Sequence, residues 1–315
     1  FINCAIPAIK KHLLTASDKF FIIDELGYIE SSCIPFQENI KKLLDNSYVM
    51  AVIRKQSTTF LDSIRNRNDV LLIDIDNPFN CISCIIMASG LSQRFGSNKL
   101  LARFNNHTLF ENAINISRFA DFGETLAVTR YDSIVEICER EHIHFIKHDM
   151  PYRNDMVNLG ISHILENASP LHKPSGILFL PSDQPLISRT SLQLLCLLFI
   201  YNNSNYFAGN RTDKYSNASN IYFTDNNNYS NDNNNYFIDN NSKICRLAFK
   251  ETPGAPVIFP ACYYDELMKL PQGKGGGFIT KKHPGQVLLI PAQDEYELYD
   301  IDIANDLIRL SQYLR

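Results

Sequence analysis

Several things are missing from this sequence, and each absence removes a class of function. There is no excess of basic residues: 30 Lys and Arg stand against 34 Asp and Glu, a formal net charge of −4. A chain so balanced lacks the electrostatic footprint by which proteins hold nucleic acid. No apolar run reaches the roughly 18–20 residues a helix needs to cross a bilayer. The most apolar stretch, Leu192 to Ile200, has the length of a buried helix. The chain opens at Phe1 without a charged region and apolar core of the secretory kind, so a cytoplasmic location is expected. The eight cysteines do not read as a disulfide framework in 315 residues. Cys81 and Cys84 make one Cys-x-x-Cys, but neither a second pair nor a His-x3–5-His completes a zinc site. A redox thiol would sit at a helix N-terminus, whereas these two lead into an apolar strand, so they are expected to be small buried hydrophobes. Missing too is the Gly-x-x-x-x-Gly-Lys-Ser/Thr phosphate loop.

What is present is a chain with 45% hydrophobic residues, long enough for a full core and for two domains. Its most informative segment runs from Ile85 through Met87, Ala88, Ser89, Gly90, Ser92, Arg94 and Gly96 to Lys99. It reads as an apolar strand, a small-residue loop, and two cations five positions apart. Such a loop exposes backbone N–H groups to a phosphate, and the cations can neutralise oxygens that gain charge in a transition state. A second apolar strand, Gly176 to Leu180, leads into Pro181-Ser182-Asp183-Gln184-Pro185. This puts a carboxylate at the strand's C-terminal edge, where open α/β sheets bind ligands; a simple turn is the bland alternative. Pro253-Gly254-Ala255-Pro256 and Gly273-Lys274-Gly275-Gly276-Gly277 follow, then Asp300-Ile301-Asp302 before a helix expected over residues 304–313. Asp302 or Asn305 would cap that helix.

The first of these segments resembles the signature loop of the MobA-like nucleotidyltransferases, roughly Leu-Ala-Ala-Gly-x-Ser-x-Arg-x-Gly-x-x-Lys, with Ser89 in place of the second Ala. The Asp-Gln-Pro triplet, the Gly-x-Pro strand, the glycine loop and the closing Asp-Ile-Asp match further motifs of that family in order, with Ile303 where Thr is usual. The run Arg153-Asn154-Asp155-Met156-Val157-Asn158-Leu159-Gly160 looks like the nucleotide-binding segment of a subgroup associated with selenium-dependent molybdenum hydroxylases. It departs from that subgroup at Asn154, Met156 and Asn158. As a purely local feature, Asp155 would be the N-cap of a helix through Ile164.

The resemblance implies a Rossmann-like three-layer α/β/α fold over residues 82–315. It implies catalysis by Arg94, Lys99 and Asp183, and Mg2+ held by Asp183 and Asp300. It also implies nucleotide binding by Met87, Ala88, Ser89, Gly90, Ser92, Arg94, Lys99, Asn154, Asp155 and Gly160. Acceptor binding would fall to Gly254, Pro256, Gly273, Lys274 and Gly275. The activity implied is transfer of a nucleoside monophosphate, CMP from CTP, to the terminal phosphate of a molybdopterin-type molybdenum cofactor, with release of pyrophosphate. A molybdenum hydroxylase apoenzyme would be the eventual partner. Two rivals are a guanylyl or sugar-phosphate nucleotidyltransferase of the same fold, and a non-catalytic carrier of the cofactor. Phe95 and Asn98 look more like the cytidylyl branch than the guanylyl branch, and retention of Arg94, Lys99 and Asp183 together argues against a carrier.

Residues 1–78 alternate helix and strand, with strands expected at 20–24, 48–54 and 70–75 and helices at 36–44 and 60–67, a pattern of βαβ units. Phe20 to Glu25 has the form of a Walker B strand and resembles the C-terminal half of a small nucleoside-triphosphatase family. That resemblance gives Asp24 to Mg2+ and Glu25 to the attacking water. Without its phosphate loop this segment, a partial P-loop-NTPase-like α/β unit, is not expected to hydrolyse nucleotides. Within the larger domain, strands are expected at 83–87, 124–129, 144–147, 176–180, 257–259 and 287–290, and helices at 109–119, 133–141 and 191–200. From Tyr201 to Ser242 the chain carries 15 Asn in 42 residues, too little apolar surface to offset ordering entropy, and reads as a disordered insertion.

Overall fold

The computed structural model describes residues 3–14, 20–67, 69–70, 72–168, 173–203 and 242–313. Most of the Asn-rich tract, residues 204–241, lies outside the described residues. Its first three residues continue a helix rather than opening a loop.

The chain divides into two compact units, one formed by residues 1–72 and one from Ile73 onward. In the first, α1 (Ala5–Leu14), β1 (Phe21–Leu26), α2 (Ile34–Asn46), β2 (Val49–Ile53) and α3 (Thr59–Arg65) follow one another. β1 and β2 pair in parallel, as the helix between them requires. Leu26, Phe36, Ile40, Leu43, Leu61 and Ile64 form its core. Thr58 starts α3 by accepting the Leu61 N–H at 3.2 Å. Among the described residues of 70–75, where a strand is expected, none is found: residues 72–76 run through irregular chain and a turn. Asp74 and the turn-forming Asp76-Asn77-Pro78 interrupt its apolar run, and Asp74 accepts the Asp76 N–H instead.

The second unit is built on a seven-stranded sheet. In chain order it comprises β3 (Phe79–Ala88), a small hairpin of β4 (Arg103–Phe104) and β5 (His107–Thr108), α4 (Leu109–Arg118), β6 (Phe122–Thr129), α5 (Asp132–Arg140), β7 (His144–Lys147), α6 (Arg153–Asn167), β8 (Gly176–Pro181) and α7 (Arg189–Asn203). It continues with β9 (Ile244–Phe249), β10 (Thr252–Pro260), α8 (Tyr264–Met268), α9 (Gly277–Lys282), β11 (Val287–Pro291) and α10 (Ala304–Ser311). The sheet order is β11-β9-β10-β8-β3-β6-β7, and β10 alone runs antiparallel to its neighbours. Ile82, Cys84, Ile85 and Ile86 of β3 and Ile177, Leu178 and Leu180 of β8 are fully buried, the near-continuous apolar runs of a parallel sheet covered on both faces.

From β3 the chain moves outward to β6 and β7, then returns to place β8 on the other side of β3. The order therefore reverses between β3 and β8, and ligands of open α/β sheets bind beyond the carboxyl ends of strands at such a point. The register aligns Ile86 with Leu180 and Met87 with Pro181, so the Ser89–Lys99 loop and the Ser182–Gln184 turn emerge side by side. β9, absent from the sequence expectation, lies between β10 and β11. α8 and α9, five and six residues long, are likewise too short to announce themselves by periodicity.

Candidate active site

Beyond β3, Ser89 is buried and its hydroxyl donates to the Val128 carbonyl at 2.9 Å. With its proton so used, Ser89 Oγ accepts from His148 Nε2 at 2.7 Å. The Arg130 Nε donates to the Ser89 carbonyl (3.1 Å) and the Tyr131 hydroxyl to the Gly90 carbonyl (2.8 Å). The loop's carbonyls are thus tied back to the end of β6, and the Ser89 hydroxyl to the end of β7. Its N–H groups are not: those of Gly90, Leu91, Ser92 and Gln93 have no partner among the described residues. Ser92 and Gly96 turn through positive φ, at 49° and 81°, and the Ser92 hydroxyl accepts the Lys99 N–H at 3.2 Å. Successive free N–H groups in such a turn form a concavity suited to an anion.

Lys99 is the hub. Its side chain is only 10% exposed. Its Nζ donates to Asp183 Oδ2 (2.7 Å), to the Ile301 carbonyl (2.7 Å) and to Asp302 Oδ1 (3.4 Å). Asp302 Oδ2 in turn meets Arg94 Nη2 at 2.8 Å, with Arg94 largely in solvent. The Ile301 N–H donates to the Asp183 carbonyl at 2.8 Å, which ties the closing motif to the end of β8. Gln184 Nε2 reaches Asp300 Oδ1 (2.8 Å) and the Leu298 carbonyl (3.2 Å). Arg94, Lys99, Asp183 and Asp300, far apart in sequence, therefore meet in one cluster. In the sequence Asp302 or Asn305 reads as a helix cap, and Gln184 and Ile301 carry no role of their own.

The cap expectation needs correcting. Ile303 precedes α10, and Asp306, three residues on, accepts the N–H groups of Asp302 (2.9 Å) and Ile303 (3.0 Å). Burial pushes the Asp306 carboxyl up, but those two donors outweigh it and hold it below the ordinary carboxylate range. Asp155 behaves alike: it is the third residue of α6 and accepts the Tyr152 N–H at 3.2 Å, so it is not the N-cap.

The structure disperses the other nucleotide-segment positions. Gly160 faces the sheet, where a Cβ would fall 2.8 Å from Ile85 Cδ1, so its bareness serves helix-on-strand packing. Asn158 Nδ2 donates to the Met268 carbonyl at 2.9 Å, joining α6 to α8. Asn154 Oδ1 accepts the Gly273 N–H (2.8 Å), and a Cβ on Gly275 would meet Arg153 Cδ at 2.7 Å. The start of α6 and the glycine loop hence form one wall. Gly254 backs onto Leu298, and Pro256 is buried in β10. Lys274 is exposed.

Asp300 opens to solvent on one side. The protein mass around its carboxyl, together with the charge of nearby Asp183, lifts it above the ordinary carboxylate range. Asp183 Oδ1 and Asp300 Oδ2 accept no hydrogen bond from the described residues. Two neighbouring carboxylates with free hard oxygens suit a divalent cation such as Mg2+, and relief of their repulsion would favour it. Among the described residues no group of three or more His, Cys, Asp and Glu forms a ready-made cage. That fits an ion completed by substrate phosphates and water rather than by protein alone.

His148 follows β7 at this end of the sheet, beside Arg130 and Asp149. Burial, then the Arg130 guanidinium, depress its pKa, and its Nδ1 is buried without a partner. None of the eight cysteines is in a disulfide, Cys84 is fully buried, and burial pushes the Cys81 thiol up to about 11.

Residues 84–287, well over half the chain, match the family model of the MobA-like NTP transferase domain. The chain belongs to that family. The fold of the MobA-like unit agrees with solved structures. Rv0371c from Mycobacterium tuberculosis H37Rv superposes with a TM-score of 0.51 at 16% identity, over 74% of this chain and 99% of that one. A nucleotidyl transferase from Methanothermobacter thermautotroptrophicus, Mth528, gives 0.52 at 17% identity, over 74% and 96%. At such identity the likeness is one of fold. Ahead of this unit, residues 1–79 match an NTPase family model. The nucleoside-triphosphatase THEP1 of Thermotoga sp. (strain RQ2) is 39% identical over 56 residues, 18% of this chain. The chain spans about a third of that relative's length, 32%. In the first unit Glu25 forms an exposed ion pair with Arg54.

Proposed function

We propose that the MobA-like unit transfers a nucleoside monophosphate, CMP from CTP, to the terminal phosphate of a molybdopterin-type molybdenum cofactor, releasing pyrophosphate. The observation that carries the transfer reading is the juxtaposition at the β3/β8 reversal. A loop with free N–H groups, two cations and two carboxylates converge there from three separate motifs. The acceptor and the choice of CTP rest on the sequence resemblance.

The triphosphate lies along residues 88–99, its oxygens on the N–H groups of Gly90 to Gln93. An oxygen of the acceptor phosphate attacks the α-phosphorus in line, forming a new P–O bond as the bond to pyrophosphate breaks. Arg94 and Lys99 neutralise the charge that gathers on the leaving group. Asp302 holds both cations in place, bonding one with each carboxylate oxygen. Asp183 and Asp300 would hold Mg2+, which when bound would neutralise phosphate charge. Asn154 and Asp155 position the start of α6 against the glycine loop, the wall on the acceptor side. A molybdenum hydroxylase apoenzyme would receive the product.

The test is product analysis by mass spectrometry after incubation with Mg2+, molybdenum cofactor and CTP, GTP or ATP. A cofactor heavier by one CMP, formed with CTP alone, is the expected result. A guanylylated product would move the reading to the guanylyl branch, and no adduct from any nucleotide would overturn it.

A further inference from the structure

Arg246 is a cation that this reading leaves unused. It lies in β9 opposite Val257 of β10, so it shares the sheet face of Val257 and Phe259. Gly276 of the glycine loop lies against that Phe259, where a Cβ would fall 2.9 Å from the ring. Arg246 is half-buried, and among the described residues no carboxylate pairs with it. Its Nε and Nη2 both donate to the carbonyl of Gly254, at 2.9 and 2.5 Å. Among the described residues its Nη1 finds no acceptor, and it is not among the buried, unpartnered atoms, so that edge is open. Lys99, Arg65 and Arg67 each meet a carboxylate, whereas the half-buried Arg130 and Lys243 have two neutral acceptors each; Arg246 has one.

Burying a guanidinium is costly unless an opposite charge compensates it, and burial depresses the Arg246 pKa with no opposing contribution. One neutral carbonyl does not compensate it. That carbonyl belongs to the break in the β9–β10 ladder between Pro253 and Val257. Gly254 there abuts Leu298, whose own carbonyl accepts from Gln184, the residue bonded to Asp300. Arg246 therefore stands a short chain of contacts from the carboxylate pair, on the face carrying the glycine loop. Arginine with one free edge is suited to a phosphate or carboxylate.

We infer that Arg246 seats an anionic group of the acceptor through its Nη1 edge, while Nε and Nη2 remain on the Gly254 carbonyl. The anion follows from Arg246 itself; that it belongs to an acceptor rests on the transfer reading. Arg246→Gln separates charge from structure, because a glutamine amide nitrogen stands at the bond count of Arg Nε and keeps a donor for Gly254.

The experiment is calorimetric titration of phenyl phosphate into the full chain, with Mg2+ and a saturating non-hydrolysable CTP analogue covering Arg94 and Lys99. Wild type is expected to bind, more weakly as salt rises. Arg246→Gln should bind about tenfold or more weakly, with an unchanged melting temperature, and Arg246→Lys should recover part of the loss. Equal binding by wild type and Arg246→Gln, or no binding by wild type, overturns the inference. Pyrophosphate release is assayed separately. Release without dependence of binding on Arg246 overturns the anion seat alone, and Arg246-dependent binding without release overturns the transfer reading alone.

Discussion

Lys99 sets its ammonium 2.7 Å from Asp183 Oδ2, joining the end of the first motif to the end of the second across 84 positions of sequence. A lysine this sheltered holds its place through three acceptors rather than through packing. Lys99→Met is expected to slow transfer by about a hundred- to a thousandfold, on the order of 3–4 kcal/mol, as for a lost oxyanion donor. Because the pair acts as a unit, Lys99→Met with Asp183→Asn should lose little more than the worse single variant. Steady-state kinetics on the four proteins measures the coupling, and simple additivity would count against it.

Asp306 is expected to matter beyond its own helix. Asp306→Ala removes the acceptor from two N–H groups and should destabilise the MobA-like unit by about 1–2 kcal/mol, the loss of a good helix cap. It also frees the backbone of Asp302, so turnover should fall although Asp306 touches neither Arg94 nor Lys99. Denaturant unfolding beside kinetics separates the two effects.

Gly160 tests packing against binding. Gly160→Ala pushes a methyl toward Ile85, which is fully buried, and should cost about 1–3 kcal/mol by overpacking. Ile85→Val removes the nearest atom, Cδ1, and should recover part of the loss in the double variant. If Gly160 instead bound nucleotide, KM for the triphosphate would rise in Gly160→Ala and stay raised after Ile85→Val.

His148 predicts an acid-side weakness. Its depressed pKa means the folded chain binds a proton less readily than the unfolded chain does. Stability is therefore present above the unfolded value, about 6.5, and is lost as pH falls through the lower folded value. His148→Gln, which keeps a donor for Ser89 Oγ, should show a shallower fall in melting temperature between pH 7 and 5. Matching slopes for the two proteins would contradict this.

Much of the site was legible in sequence because its parts are local and directional. A small-residue loop after an apolar strand, and a carboxylate after another, are placed by the parallel sheet itself. The alternating strands and helices around them follow from period and length. What stayed hidden depends on contacts across the chain. Asp302 reads as a helix cap until its oxygens are found on Lys99 and Arg94. Asp155 and Asp306 reach back from the third helical position, a detail finer than sequence resolves. Gly160 has the look of a ligand-approach glycine, yet Ile85 explains it. His148 and Arg246 belong to no motif. The first could have been suspected from its place just past the carboxyl end of a parallel strand, whereas the second depends on β9, which was not foreseen. The expected strand at 70–75 failed where turn residues outweighed a short apolar run.

The central claim is that Lys99, Asp183 and Arg94 form a working transfer site, and pyrophosphate release tests it most directly. The measurement uses full-length protein with Mg2+, molybdenum cofactor and CTP, GTP or ATP in turn, beside Asp183→Ala. Release with CTP that requires the cofactor, and that Asp183→Ala reduces to background, is the predicted result. Folded wild-type protein that binds the cofactor and releases nothing with any of the three nucleotides would contradict it.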